Sequence, residues 1–412
     1  MKDSYLRLRL GCYTCNISMA VIGNLSPILF LTFRTMYGIS YSLLGLLVLV
    51  NFTTQLLVDL VFSFFSHKFN IPKAVKFAPV LCAIGLALYA VWPWIFPQAV
   101  YAGLVMGTVI FSAASGFCEV LISPVVAAIP AEDLDREMSK LHSIYAWGVV
   151  GMVVVSTLFL LLAGMQHWQW LAILFMVVPL SAILLFSGVQ IPEMETPERV
   201  SGALKLLKNK TLWLCVIAIF LGGASECTMA QWCSGYIEKA LGIDKVWGDL
   251  FGVAAFAVML GLGRSLYAKI GRNIGKVLFV GAIGATACYL VAAITSIPIV
   301  GLVACALTGL CVSMMWPGSL VVASDRILQG GVFIYAMMAA GGDLGASVGP
   351  QLVGVVTDFA MANPWTVQLA TQLSIAPEQL GMKLGMLVGM LFPLAGIGIY
   401  CYIMKTQKKQ VV

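Results

Sequence analysis

The sequence predicts an all-α polytopic membrane protein, with twelve transmembrane helices arranged as two pseudo-symmetric six-helix bundles. Of its 412 residues, 60% are hydrophobic and only 10% are charged, whereas soluble domains have about a quarter charged residues. Apolar runs of about 20 residues recur from one end to the other, and each is long enough to cross a hydrocarbon core of about 30 Å. A chain of this composition cannot cover itself with a polar surface, so we expect the lipid bilayer to surround it.

The apolar runs set the positions of the twelve spans. In chain order, they predict spans at residues 10–32, 41–66, 74–95, 98–128, 140–164, 168–189, 211–237, 247–269, 275–295, 298–322, 331–357 and 382–404.

Basic residues set the expected orientation. If both termini are cytoplasmic, 20 of the 24 Lys and Arg residues lie on the inner side. The four on the outer side are Arg34, Lys239, Lys245 and Lys383. This asymmetry matches the positive-inside rule and predicts a multi-pass protein of a bacterial cytoplasmic membrane. The net charge of +6 is therefore a topology signal and gives no reason to expect nucleic acid as a partner.

A charged connection divides the chain near its midpoint. We expect an N-terminal bundle at 1–190, a cytoplasmic linker at 191–210 and a C-terminal bundle at 211–412. Three short stretches of the first half have counterparts, in the same order, in the second half, which favours a duplicated architecture. The matched stretches are 37–40 with 241–244, 123–124 with 316–317, and 144–146 with 334–336.

Four acids fall inside predicted spans: Asp59, Glu119, Glu226 and Asp343. A charge near the centre of a membrane helix costs roughly 2.5–3.5 kcal/mol, so such residues usually face a cavity and mark functional paths. A structural hydrogen bond between helices is the alternative for each of them, and for Asp59 a gating role near the inner end is equally open. By helical rise, Glu226 lies about 22 Å into its span and Asp343 about 18 Å, near mid-membrane.

Two basic side chains complete the predicted charge set. Arg264 lies well inside span eight, where an arginine normally pairs with an acid; we expect that acid to be Glu119 or Asp343. His142 opens span five, and its titration near neutral pH suits a proton-linked role, although an inert residue at the start of a helix is the alternative.

Aromatic and amide side chains within the spans predict a site for a small polar molecule. Flat rings and paired donors and acceptors suit sugars, and they suit amino acids and nucleosides as well. The candidates are Trp232, Tyr236, Trp147, Gln231, Asn24 and Gln55, together with Glu226. In an ideal helix Gln231 points away from Glu226, so the two share a cavity only if span seven unwinds at Gly222, Gly223 or Gly235. The eleven cysteines are mostly single, and we expect no metal and no cofactor.

Three stretches resemble those of a known family. They are 141–143 followed by Gly148 and Gly151 in span five, Glu226 followed by Trp232 and Tyr236 in span seven, and Glu119 in span four. Together they resemble the fucose and hexose permease branch of the major facilitator superfamily, and the resemblance implies that fold, with a proton-coupling or sugar-binding role for Glu119. Span one lacks the acid that some proton-coupled sugar carriers have there, and Asp343 has no counterpart that we can assign.

These observations lead to one functional expectation and two alternatives. We expect a monomeric secondary active transporter, not an enzyme, that moves a small polar organic solute by alternating access in symport with a coupling ion. A sugar-like solute and a proton are favoured, while sodium stays open. An efflux antiporter of drugs or metabolites is the first alternative, and a non-transporting solute sensor is the second.

Overall fold

The computed structural model describes residues 2–65, 68–130, 134–192, 207–270, 273–327 and 331–407. In this part of the chain the secondary structure is helical, and each of the twelve predicted spans falls on a helix. We number these helices α1 to α12, counting a helix with an internal break once.

The helices of the first half are α1 (Lys2–Tyr37), α2 (Tyr41–Phe65), α3 (Ile71–Ile95), α4 (Val100–Ala128), α5 (Leu134–Ala163) and α6 (Trp168–Phe175 with Val177–Phe186). The second half has α7 (Lys210–Leu241), α8 (Lys245–Gly248, a π-helical turn at Asp249–Val253, then Ala254–Ile270), α9 (Ile274–Ile294), α10 (Pro298–Val312 with Met315–Arg326), α11 (Gly331–Ala362) and α12 (Pro377–Gly389 with Leu391–Gln407).

Within the described residues, ten helices are long and apolar enough to cross a membrane, and Trp147–Ala163 is a shorter apolar helix. The prediction of an all-α, multi-pass membrane protein is thereby confirmed. Helices are expected on physical grounds, because lipid offers no hydrogen-bond partner to the backbone and a helix satisfies its own. The orientation in the membrane stays a prediction.

Turn residues in the sequence fix where several helices begin and end. Gly38 after α1 and Gly242 after α7 both have φ +66°, the left-handed conformation that glycine adopts readily at helix ends. These are the glycines of the matched stretches 37–40 and 241–244, so the repeat found in the sequence corresponds to the same turn in both halves. Asparagine side chains cap the starts of α3 (Asn70), α7 (Asn209) and α9 (Asn273), and Asn363 caps a short helix, Pro364–Gln372, between α11 and α12.

Contacts divide the chain into two compact units. The first unit comprises Met1–Thr32 and Val50–Val200, and the second comprises Phe33–Leu49 and Ser201–Val412. The end of α1 and the start of α2 thus belong to the second unit, although they lie in the first half of the sequence. The predicted boundary at 191–210 stays a prediction, since residues 193–206 lie outside the described part of the chain.

Two carboxylates hold residues 33–49 within the second unit. Asp358 of α11 accepts hydrogen bonds from the backbone N–H groups of Tyr41 (3.1 Å) and Ser42 (2.6 Å). An anion at this position satisfies the free N–H groups at the start of α2 and interacts well with the helix dipole. Glu378 of α12 accepts from the Arg34 guanidinium (3.0 Å) and the Tyr41 hydroxyl (2.8 Å).

Small residues let α11 approach α7 closely. A Cβ atom added at Gly345 would lie 2.1 Å from the backbone oxygen of Phe220, and one at Gly349 would lie 2.3 Å from the Thr228 hydroxyl. Backbones that pack this closely are typical of membrane helices, which associate through van der Waals contact and not through the hydrophobic effect. The close packing of α7 against α11 therefore fixes the positions of the polar side chains on both helices.

We expect Gly345→Ala to destabilise the protein and Gly398→Ala to leave its stability unchanged or slightly raised. The methyl group at position 345 meets backbone atoms that cannot move aside, and overpacking costs about 1–3 kcal/mol. Nothing lies within 4 Å of a Cβ at Gly398, so there the better helix propensity of alanine, worth about 0.5–1 kcal/mol, is the main effect. Thermal unfolding in detergent measures both; equal midpoints for the two variants would contradict the packing described here.

Candidate functional site

Polar pairs connect α2 and α4 in the first unit. The Ser112 hydroxyl donates to the Asn51 side-chain oxygen at 2.5 Å, and the Ser115 hydroxyl donates to Gln55 Oε1 at 2.9 Å. The two pairs lie about one helical turn apart on both helices, because residues three or four apart share a face. Gln55, which we expected to contact a solute, is buried and uses its oxygen in this contact between helices.

Asp59 and Glu119 form the next level of the same series. A carboxylate oxygen of Asp59 lies within 4.8 Å of one of Glu119. Asp59 is 3% exposed, and neither of its carboxylate oxygens has a hydrogen-bond partner among the described residues, whereas Glu119 is exposed. No ion pair among the described residues includes either acid. Two carboxylates this close disfavour double ionisation, so the pair is suited to hold one proton.

Glu226 and Arg264 form an ion pair in the second unit. One terminal guanidinium nitrogen of Arg264 lies 3.1 Å from Glu226 Oε1 and 3.3 Å from Oε2. The expectation that Arg264 pairs with Glu119 or Asp343 was wrong. Depth along the helices suggested those acids, but the arginine side chain is long, and its head group reaches Glu226 of α7.

A break in α10 supplies the second contact of Arg264. Its Nε atom donates to the Ser313 backbone oxygen at 3.1 Å. Ser313 lies between the two segments of α10, and Pro317, four residues on, has no N–H group to donate to that oxygen in a helix. The carbonyl is therefore free for Arg264. Ser313 was not among the predicted site residues, although a proline inside a span is the signal that identifies it.

The Trp316 ring packs against two glycines, and one of them, Gly223, lies about one helical turn before Glu226 on α7. A Cβ atom at Gly223 of α7 would approach the ring to 3.0 Å, and one at Gly342 of α11 would approach it to 2.5 Å. Gly342 precedes Asp343, which is buried. The second unit thus brings an aromatic ring, one guanidinium and two acids to a common level, and Trp316 was not among the predicted binding residues.

α7 is continuous from Lys210 to Leu241, so the unwinding that a shared cavity for Gln231 and Glu226 would require is not present in this structure. Gly222 and Gly223 instead allow close packing, since a Cβ at Gly222 would lie 2.9 Å from the Met315 backbone. Gln231 is buried and stays on the helix face directed away from Glu226, so the structure does not bring these two residues together.

Trp232 and Tyr236 are completely buried. The Trp232 indole donates to the Pro350 backbone oxygen at 2.8 Å, and the Tyr236 hydroxyl donates to that of Ala292. The Trp232 ring also packs against Tyr41 with centroids 5.7 Å apart. Neither ring has a face open to a solute in this structure, so we assign both to helix packing.

The remaining predicted residues lie apart from these clusters. Asn24 donates to the Ala20 backbone oxygen of its own helix at 2.9 Å. Trp147 is 72% exposed and has a ring available for contact. The side chain of His142 lies outside the described part of the structure, so its proton-linked role stays a prediction.

The Glu226–Arg264 pair predicts non-additive effects on stability. We expect Glu226→Gln and Arg264→Gln each to lower the free energy of unfolding by about 1–2 kcal/mol. This loss is smaller than that for a fully buried ion pair, because Arg264 is 42% exposed. The double variant should lose less than the sum of the two, with a coupling of at least about 0.5 kcal/mol. Thermal unfolding of the four proteins gives the cycle, and strict additivity would show that the contact contributes nothing.

The sequence profile of the Major Facilitator Superfamily matches residues 12–350. No curated protein matches the sequence.

Solved structures with a similar fold include three transporters. The nucleoside transporter NupG has a TM-score of 0.70 at 13% identity, covering 96% of this chain and 99% of its own. A bacterial homologue of the human lysosomal transporter Spinster, inward-facing and unoccupied, has a TM-score of 0.70 at 15% identity, covering 98% and 97%. FucP in the outward conformation has a TM-score of 0.60 at 17% identity, covering 95% and 99%; FucP is the fucose:proton symporter of E. coli. At these identities the likeness establishes the fold.

Proposed function

This chain belongs to the Major Facilitator Superfamily, a family of transporters, and from that premise we propose that it moves a small polar organic solute across the cytoplasmic membrane in symport with protons. The transport would follow alternating access, in which a central site opens to one side of the membrane and then to the other. Membership of this family points to a transporter and not to an enzyme.

The proposal of proton coupling rests on one observation, the close Asp59–Glu119 pair. With one shared proton the pair bears a single negative charge, and its members remain close. When the proton leaves, two adjacent carboxylates repel each other across the α2–α4 contact. Glu119 is exposed and Asp59 is buried, so in this proposal a proton reaches Asp59 through Glu119. Proton loss therefore alters a contact between helices, which a coupled carrier requires.

The solute would bind at the level of Glu226, Arg264 and Trp316 in the second unit. Carboxylate oxygens accept hydrogen bonds, guanidinium nitrogens donate them, and an indole ring covers an apolar face. NupG and FucP, which share the fold, are a nucleoside transporter and a fucose:proton symporter, and both named solutes are polar molecules with rings. Their chemistry supports a small polar solute here, with a sugar-like molecule as the starting choice.

We expect Asp59→Asn and Glu119→Gln to uncouple solute uptake from the pH gradient. Each change removes one carboxylate, so the pair can no longer change charge by sharing a proton. A thermal-shift screen of L-fucose, D-glucose, uridine and L-alanine selects the solute, since a ligand that binds the folded state raises apparent stability. Uptake of the radiolabelled solute into proteoliposomes, acidic outside, should then exceed equilibration for the natural protein and reach only equilibration for both variants.

Asp325→Asn is the matched control, because Asp325 is exposed near the end of α10 and lies outside both clusters; it should accumulate solute normally. Accumulation that ignores the pH gradient in the natural protein, or that survives in both acid variants, would contradict proton coupling through this pair. Binding of a solute without any flux would instead support the sensor, and accumulation driven in the opposite direction would support the antiporter.

A further inference from the structure

We propose that Arg264 is a receptor for an anionic group of the solute and that Glu226 occupies this receptor when no solute is bound. The transported molecule would then carry a carboxylate or a similar anion, which replaces Glu226 on the guanidinium. The proposal rests on the proposed function for transport itself, but its binding step is independent of flux.

Arg264 already holds a carboxylate in this structure. Both oxygens of Glu226 lie within 3.3 Å of one terminal nitrogen, and the Ser313 carbonyl fixes the Nε side of the guanidinium at 3.1 Å. The other terminal nitrogen has no partner among the described residues. Because the Ser313 contact fixes the guanidinium independently of Glu226, the group can hold a solute carboxylate in place of Glu226 without reorienting, with the free terminal nitrogen as a further donor.

The exposure of Arg264 indicates that an anion can reach it. Its side chain is 42% exposed, compared with 14% for that of Glu226. A guanidinium that faced lipid tails at this depth would be very costly, and intramembrane arginines almost always face a bundle interior or a water-filled cavity. Trp316 follows Ser313 by one helical turn, so the anionic group and an apolar face of the same molecule can be bound together.

Charge balance then links the anion to a proton. The described charged group that contacts Glu226 is Arg264 from α8, and Cys227 is its neighbour on its own helix, while the acid of α11, Asp343, is also buried. Tyrosine hydroxyls reach the same stretch of α7 from the other packed helices, Tyr289 of α9 at Ser225 and Tyr400 of α12 at Ala218. Arg264 is the single described cation in this set, so an incoming anion leaves Glu226 without a counter-charge.

A carboxylate that loses its counter-charge inside a membrane protein takes up a proton, because an unpaired buried charge costs several kcal/mol. Anion binding and proton binding at Glu226 therefore assist each other. The anion should bind more tightly as the pH falls, because the protonated Glu226 no longer competes for Arg264. In Glu226→Gln the competitor is absent at every pH.

The test compares acids with their neutral analogues by isothermal titration on the purified full-length protein. The probes are D-glucuronate against D-glucose, and D-gluconate against D-glucitol, at several pH values. We expect an acid of this set to bind more tightly than its analogue and to tighten as pH falls. Glu226→Gln should raise the affinity for the acid about tenfold and remove the pH dependence, while Arg264→Gln should lower it at least about 30-fold.

Glu238→Gln is the matched control, since the same change on the outer end of α7 should alter neither affinity nor its pH dependence. The proposal is overturned if neither acid binds, if only the neutral analogues bind, or if Glu226→Gln weakens acid binding, which would make Glu226 a direct ligand. The pH series on the natural protein decides the question if a variant fails to fold. Uptake of D-glucose driven by a pH gradient without acid binding would overturn this proposal alone, whereas acid binding without coupled uptake would overturn only the proposed function.

Discussion

A carboxylate inside a membrane protein must be neutralised, either by an opposite charge or by a proton. The arrangement of the described acids in this chain follows from that constraint. The two units meet it in different ways. In the first, Asp59 and Glu119 lie side by side with no basic partner among the described residues, which favours a shared proton. In the second, Glu226 is neutralised by Arg264. One arrangement is suited to proton exchange and the other to exchange of a charged or strongly polar ligand.

Helix packing supports both arrangements. The hydrogen-bonded pairs Ser112–Asn51 and Ser115–Gln55 hold α2 to α4 at a fixed register, so Asp59 and Glu119 stay adjacent. In the second unit, glycines of α7 and α11 bring backbones together, and the proline of α10 frees the carbonyl that orients Arg264. Each special residue costs helix stability locally. Their concentration around the ion pair suggests that this cost is tolerated for the geometry of the site.

Local signals in the sequence were enough to predict the helices and to match the stretches 37–40 and 241–244, because length, hydropathy and short residue patterns act over a few residues. The partner of Arg264 was predicted wrongly because a long side chain can span more than one helical turn, and depth alone does not show where its head lies. Trp232 and Tyr236 were chosen for their chemistry, but burial and hydrogen bonding to Pro350 and Ala292 depend on neighbours far away in sequence.

The division of the acids into a proton-sharing pair and an ion-paired carboxylate can be measured without knowing the solute. Infrared difference spectroscopy of the purified protein at neutral pH separates protonated carboxylic acids, which have a distinct carbonyl stretch, from carboxylates. Our account predicts that Asp59→Asn removes a protonated-acid band from the spectrum of the natural protein, whereas Glu226→Gln leaves every such band in place. A spectrum in which Asp59→Asn and Glu119→Gln change no protonated-acid band, while Glu226→Gln removes one, would contradict it.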